Sequence, residues 1–251
     1  MITIKTPEQL QYMKKAGEIT GGALLAARDA IREGISTYEL DKVVRNYIEQ
    51  HGAKPSFLGY GGFPGSACIS VNEQVIHGIP SRDVILREGD IVKVDVGACY
   101  NGYHGDSART FGVGQVSEEK ARLIRVTEEC FRLGVAQAVH GHRIGDIGCA
   151  VQTHAEAAGF SVVRPYVGHG IGSHLHEEPD VPNFGTAGRG ARLYSGMTIA
   201  IEPMINMGKK EVTVLGDKWT VVTVDGLPSA HYEHTVAITS NGPILLTDLG
   251  E

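Results

Sequence analysis

The chain has 251 residues, 42% of them hydrophobic, and a formal net charge of −6 at neutral pH, with a sequence pI near 6.0. This balance fits a folded globular protein and excludes intrinsic disorder; it also argues against nucleic acid as the main ligand, which calls for a basic face. No apolar run reaches membrane-helix length, the start Met1-Ile-Thr-Ile-Lys has no signal-peptide core, and Cys68, Cys99, Cys130 and Cys149 form no CxxC pair, so a cytoplasmic protein with free thiols, no membrane partner and no structural zinc is expected.

In chain order, a first helix is predicted over Pro7–Arg32, with Thr6 as N-cap, Pro7 in the first helical position and Gln9 completing a capping box. Gly17 and the Gly21-Gly22 pair weaken it and mark either a break or a close backbone approach. A second helix is predicted from Thr37, as N-cap, to Gln50, with an inner stripe of Leu40, Val43, Val44, Tyr47 and Ile48 and a stop at Gly52. Residues 55–65, rich in Gly and aromatics, read as loop. Strands are predicted at Cys68–Val71, Ile91–Cys99 and Tyr103–Val113.

Between the last two strands, Asn101-Gly102 is the strongest short-range hairpin signal and suits a type I′ turn. If Tyr100 opposes Tyr103, then Asp95 opposes Ala108, and Asp106 is its same-face diagonal neighbour roughly 7 Å away. Two acids that close repel each other unless a cation lies between them. The hairpin therefore reads as half of a metal site.

After Val113, helices are predicted from Ser117 through about His140 and over Ile144–Ala158. A repeat then emerges at a constant offset of 107: Gly34, Leu40, Val43, Val44 and Gly52 correspond to Gly141, Ile147, Ala150, Val151 and Gly159. The same shift carries Gly89-Asp-Ile-Val-Lys-Val-Asp95 onto Gly196-Met-Thr-Ile-Ala-Ile-Glu202. A single catalytic domain of two pseudo-equivalent halves, about 1–115 and 116–251, is expected to share one site at their junction.

The second half should then supply Glu202, the twin of Asp95, and Glu233, which lies in another strand-like run. Four buried carboxylates carry a large uncompensated charge, which two divalent ions would balance. Carboxylate-rich ligation with at most one imidazole suits Mn²⁺, Fe²⁺ or Co²⁺ at least as well as Zn²⁺. His169, set between glycines, leads a cluster with His174 and His176, between which the residues alone do not choose. His77 in Val75-Ile-His-Gly-Ile-Pro is a further candidate, whereas His51, His140, His142 and His154 read as structural.

These segments together resemble the type I methionine aminopeptidases. The similarity rests on Asn72-Glu73 through His77-Gly-Ile-Pro80, Asn101-Gly-Tyr-His-Gly-Asp106, Gly168-His-Gly-Ile-Gly172, His176-Glu-Glu-Pro179, Met197 through Glu202-Pro-Met204 and Tyr232-Glu-His-Thr235. The resemblance implies an α+β "pita-bread" (creatinase/aminopeptidase) fold, a curved, mainly antiparallel sheet with pseudo-two-fold symmetry covered by helices. It implies a metal-dependent aminopeptidase that removes the initiator methionine of nascent proteins when the second residue is small, with a bridging water attacking the scissile carbonyl. On the matching positions, Asp95 holds one ion, Asp106 and Glu233 bridge, and His169 and Glu202 complete the other ion's shell. Glu202 also handles protons, and His77 and His176 are the catalytic histidines.

The resemblance further implies a methionine pocket of Phe57, Tyr60, Phe63, Cys68, His77, Leu175, His176 and Trp219, with Gly61 where bacterial relatives often carry His. It implies a monovalent-cation site near Asn72 and Ser229. The partners expected are nascent N-termini, with transient ribosome contact through Lys209, Lys210 and Lys218, and the chain is expected to be monomeric. Competing readings are an X-Pro aminopeptidase or prolidase of the same fold, and a scaffold that has lost its metals and serves as a binding module. With Ile2 following Met1, such an enzyme would leave its own Met1 in place.

Overall fold

The computed structural model describes residues 1–250. Helix α1 spans Pro7–Ala30, and its Thr6 and Gln9 side chains form the predicted reciprocal cap. It ends two residues short of the expected Arg32, because Ile31 turns to an extended conformation. The glycines do not break it. Gly17 lies against Gly105, where a Cβ would meet the α1 backbone at 2.9 Å, so these small residues mark a close approach of helix to sheet.

Helix α2 spans Thr37–Gln50, but its N-cap is Ser36 rather than Thr37. The Ser36 hydroxyl accepts from the Glu39 N–H at 3.2 Å and the Glu39 carboxylate accepts from the Ser36 N–H at 2.9 Å, which is a Ser-x-x-Glu capping box one residue upstream. Thr37 instead donates its hydroxyl to the Ser81 carbonyl.

Strands β1 (Lys54–Pro55), β2 (Ala67–Val71), β3 (Gln74–Ile76), β4 (Ile91–Tyr100) and β5 (Tyr103–Gly112) follow, with a short 3-10 turn at Tyr60–Gly62 inside the predicted loop. Helix α3 covers Glu118–Val135, capped by Ser117. It stops before His140 because the chain tightens there, Gln137 and Ala138 bonding back to Gly134 and Val135. Helix α4 covers Ile144–Ala157, so both its limits lie 107 residues after those of α2.

The rest is strand and loop: β6 (Ser161–Val162), β7 (Gly168–Gly170), β8 (Glu177–Val181), β9 (Thr198–Ile201), β10 (Met204–Asn206), β11 (Val212–Val214), β12 (Val221–Thr223), β13 (Ser229–His231), β14 (His234–Thr239) and β15 (Gly242–Leu245). One sheet runs β1-β4-β2 with β5 on the other side of β4, and another runs β15-β14-β9-β7-β8. Every pairing among the described strands is antiparallel. The two sheets meet where β5 bonds to the 231–235 segment: Glu233 N–H donates to the Ala108 carbonyl at 2.8 Å and Thr110 Oγ1 to the His231 carbonyl at 2.9 Å.

Helices α1 and α2 pack their apolar faces on the β4 sheet through Ile19, Leu24, Leu40, Val44 and Ile48. Phe131 of α3 and Ile144 and Ile147 of α4 cover the β9–β14 sheet, against Ile199, Ile201 and Val236. Asp95 alternates with Val94 and Val96 along β4 and so faces the side opposite the helices. Among the described residues no helix is long and apolar enough to cross a membrane.

Candidate metal centre

The hairpin takes the predicted register, with Tyr100 opposite Tyr103, Asp95 opposite Ala108 and Gly97 opposite Asp106. Asn101 and Gly102 have φ of 49° and 81°, the paired positive values of a type I′ turn. Because side chains alternate along a strand, this register puts Asp95 and Asp106 on one face.

Glu202 directly follows β9, with Pro203 ending the strand. Glu233 sits in the break between β13 and β14, fixed by its two backbone bonds to Ala108. His169 lies on β7, and its Nδ1–H donates to the Gly170 carbonyl at 2.8 Å, leaving Nε2 free. That nitrogen lies 3.6 Å from Glu202 Oε1 and 3.9 Å from Asp106 Oδ2. The five predicted ligands thus converge from β4, β5, β7, the end of β9 and the break between β13 and β14.

Burial and mutual repulsion shape the electrostatics. Burial pushes Asp95 up to about 7, an effect that hydrogen bonding with Asp106 partly offsets. Asp106 is raised well above its ordinary range by burial and by the nearby Glu233 and Asp95. Glu202 and Glu233 are raised by burial first and then by neighbouring carboxylates. Four acids in this condition are poorly accommodated alone. Asp95 Oδ1 and Asp106 Oδ1 are shut off from solvent without a hydrogen-bond partner. Two sets of donors, Asp106–His169–Glu233 and Asp95–His231–Glu233, have their ligand atoms within 4.8 Å of one another. Oxygen-rich sets with orphaned carboxylate oxygens fit divalent cations.

His231 belongs to the second set and is not among the site candidates that the sequence alone suggests, although it stands two residues before Glu233 in an extended run. That spacing, which puts both side chains on one side of a strand, is the signal that could have found it.

All thirteen predicted site residues, together with Gly61, line one cleft of about 200 Å³. Its apolar wall is made by Phe57, Phe63, Cys68 and Leu175, all buried, with Trp219 set edge-on to Phe63 at 5.1 Å. The open choice between two histidines resolves geometrically: His176 lines the cleft, whereas His174 points to the surface beside Ser173. His176 Nδ1 lies 2.8 Å from the Tyr60 hydroxyl, and its ring centroid is 4.1 Å from that of His169. His77, held in a left-handed conformation at φ 59°, stands edge-on to Tyr166. Burial lowers its pKa to about 4 and also lowers that of His176, so both rings are neutral at pH 7.

Behind the acids, the Asn72 carbonyl accepts from the Lys93 amine at 2.7 Å and from the Ser229 N–H at 3.1 Å. Lys93 is only 1% exposed.

The sequence profile of "Metallopeptidase family M24" matches residues 11–240. A "Methionine aminopeptidase" of Clostridium perfringens is 55% identical over 98% of this chain and 99% of its own length. The crystal structure of a methionine aminopeptidase from Thermotoga maritima superposes with a TM-score of 0.97 at 46% identity, covering 99% of this chain and 100% of the other. A prolidase from Pyrococcus furiosus superposes at 0.81 with 28% identity, but the match covers only 66% of that longer protein. The expected pita-bread fold is the one shared with these structures.

Proposed function

Since the chain belongs to metallopeptidase family M24, we propose that it removes the N-terminal methionine from nascent polypeptides whose second residue is small. The observation that carries this reading is the joining, in one cleft, of four acids and an imidazole with a wall of buried apolar side chains, Phe57, Phe63, Cys68 and Leu175. We read Asp95 as the ligand of one divalent ion, Asp106 and Glu233 as bridges, and His169 and Glu202 as completing the shell of a second. Mn²⁺, Fe²⁺, Co²⁺ and Zn²⁺ all suit these donors. Bound there, such ions polarise the scissile carbonyl and acidify the attacking water.

The chain's own residues do the rest. Phe57, Phe63, Cys68, Leu175 and Trp219 enclose the methionine thioether, which aromatic and sulfur groups contact favourably. Glu202, at the edge of this centre, is placed to accept a proton and return it to the leaving amine. We assign the Tyr60 hydroxyl, 2.8 Å from His176 Nδ1, as the donor of that contact, so that the proton of this neutral ring sits on Nε2, where it can donate to the developing oxyanion. His77, also neutral, positions the peptide nitrogen. The Lys93 amine takes the place of the monovalent cation expected near Asn72 and Ser229. Burial draws it down to about 7, and in either protonation state an N–H satisfies the carbonyl.

We further read the chain as one catalytic domain of two related halves, about 1–115 and 116–251, a reading supported by the common offset of α2 and α4. It would work in the cytoplasm as a monomer and meet nascent chains at the ribosome through the exposed Lys209, Lys210 and Lys218.

The test is hydrolysis of Met-Gly-Met-Met, Met-Leu-Met-Met and an X-Pro peptide by chelator-stripped protein titrated with each of the four ions. Release of methionine from Met-Gly-Met-Met alone is expected. No release with any ion would sink the reading, and preference for the X-Pro peptide would favour a prolidase.

A further inference from the structure

We propose that His231 is a sixth protein ligand of the metal centre, giving an imidazole to the ion held by Asp95 and Glu233; this rests on the metallopeptidase reading above. The residue lies on β13 with 1% exposure. Neither of its ring nitrogens has a hydrogen-bond partner and both are closed to solvent. A buried imidazole with both nitrogens unused is costly unless something else occupies them.

The surroundings identify what does. His231 Nε2 lies 3.8 Å from Glu202 Oε2 and 3.8 Å from Glu233 Oε2, too far for hydrogen bonds. These spacings match those of His169 Nε2, at 3.6 and 3.9 Å from its two carboxylates. Two donors bound about 2.1 Å from one ion stand roughly 3 to 4 Å apart, depending on the angle between them. The His231 imidazole therefore stands from Glu233, as the His169 imidazole does from its two acids, at a separation a shared cation would span. Asp95, His231 and Glu233 present three donor atoms within 4.8 Å of one another, as Asp106, His169 and Glu233 do.

The backbone around His231 is built to hold it there. Its N–H donates to Thr110 Oγ1 at 2.9 Å, the Thr110 hydroxyl donates back to its carbonyl, and its Cα pairs with that of Met204. Each ion would then receive one imidazole, and the centre would be close to symmetric across the hairpin. An imidazole on the Asp95 ion shifts its preference towards the borderline metals Co²⁺ and Zn²⁺ and away from Mn²⁺.

The experiment compares wild type, His231→Ala and His231→Gln, each stripped of metal and reloaded with two equivalents of Co²⁺. X-ray absorption should count one imidazole per ion in the wild type and one for every two ions in both variants. Calorimetric titration with Co²⁺ should show one of the two affinities falling by about 100-fold or more, beyond the usual effect of losing a group that only orients a ligand. An unchanged imidazole count in the variants overturns the proposal, even if affinity falls. Thermal melts of the metal-free proteins verify folding, and His231→Gln retains bulk and polarity should the alanine variant fail to fold. Methionine release by Co²⁺-loaded wild type separates the two readings: an inactive wild type sinks the enzyme assignment, whereas an active wild type with unchanged variants sinks only the role of His231.

Discussion

Replacing Asp95 by Asn should stabilise the metal-free protein and weaken the metal-loaded one. In the folded chain burial raises this carboxyl from 3.8 to about 7, whereas the unfolded chain keeps the ordinary value. The native state therefore holds the proton over that window, and stability declines as pH rises through it. Each pH unit between the folded and unfolded values is worth about 1.4 kcal/mol. The asparagine, which does not titrate, should thus gain roughly 4 kcal/mol at pH 8, about 2 kcal/mol at pH 5.5 and little below pH 4. Loss of the polar contact with Asp106 subtracts about 1 kcal/mol. Saturating Mn²⁺ should reverse the order, because the wild type then uses the carboxylate and the variant lacks it. Urea unfolding with EDTA and with Mn²⁺, at pH 5.5 and 8, measures all four values. A metal-free variant less stable than wild type at pH 8, or a gain independent of pH, would refute the argument that the cost of burying this acid is held in reserve for cations.

Tyr60→Phe removes the hydroxyl that fixes the His176 tautomer; kcat on Met-Gly-Met-Met should drop about fivefold to tenfold, the worth of one hydrogen bond, with KM little changed. An unaltered kcat would show that the tautomer needs no such support. Because the Lys93 amine already satisfies the Asn72 carbonyl, wild-type rates should be equal in sodium, potassium and tetramethylammonium chloride at constant ionic strength, while Lys93→Met should become faster in sodium or potassium. Strong activation of the wild type by either ion would contradict this.

Features governed by neighbours in sequence are the legible ones. The Thr6 cap needs only Gln9, and the hairpin register needs only Asn101-Gly102 between two alternating runs, so both can be read without tertiary knowledge. The N-cap of α2 reads one residue late because Ser36 and Thr37 are both good caps. Only the position of Glu39, three residues beyond Ser36, decides between them. Strands such as β3, β6 and β13 have two or three residues each and exist only through partners far away in the chain. No local pattern announces them.

The acids are legible for a different reason. The offset of 107 relates Asp95 to Glu202 in sequence whatever their distance in space. Histidines have no such twin. His169 is marked by its glycines, which signal room for a ligand, and His176 is separated from His174 by the family resemblance and by the fold, not by spacing, since parity carries no information in a loop. His231 escapes notice because it stands among other histidines and an aromatic in a run that reads as ordinary strand. What distinguishes it is a pair of unsatisfied buried nitrogens, and satisfaction is a property of the packed molecule. Where a sequence repeat points to the acids, the imidazoles that complete the site are better sought among buried polar atoms that the protein alone leaves without partners.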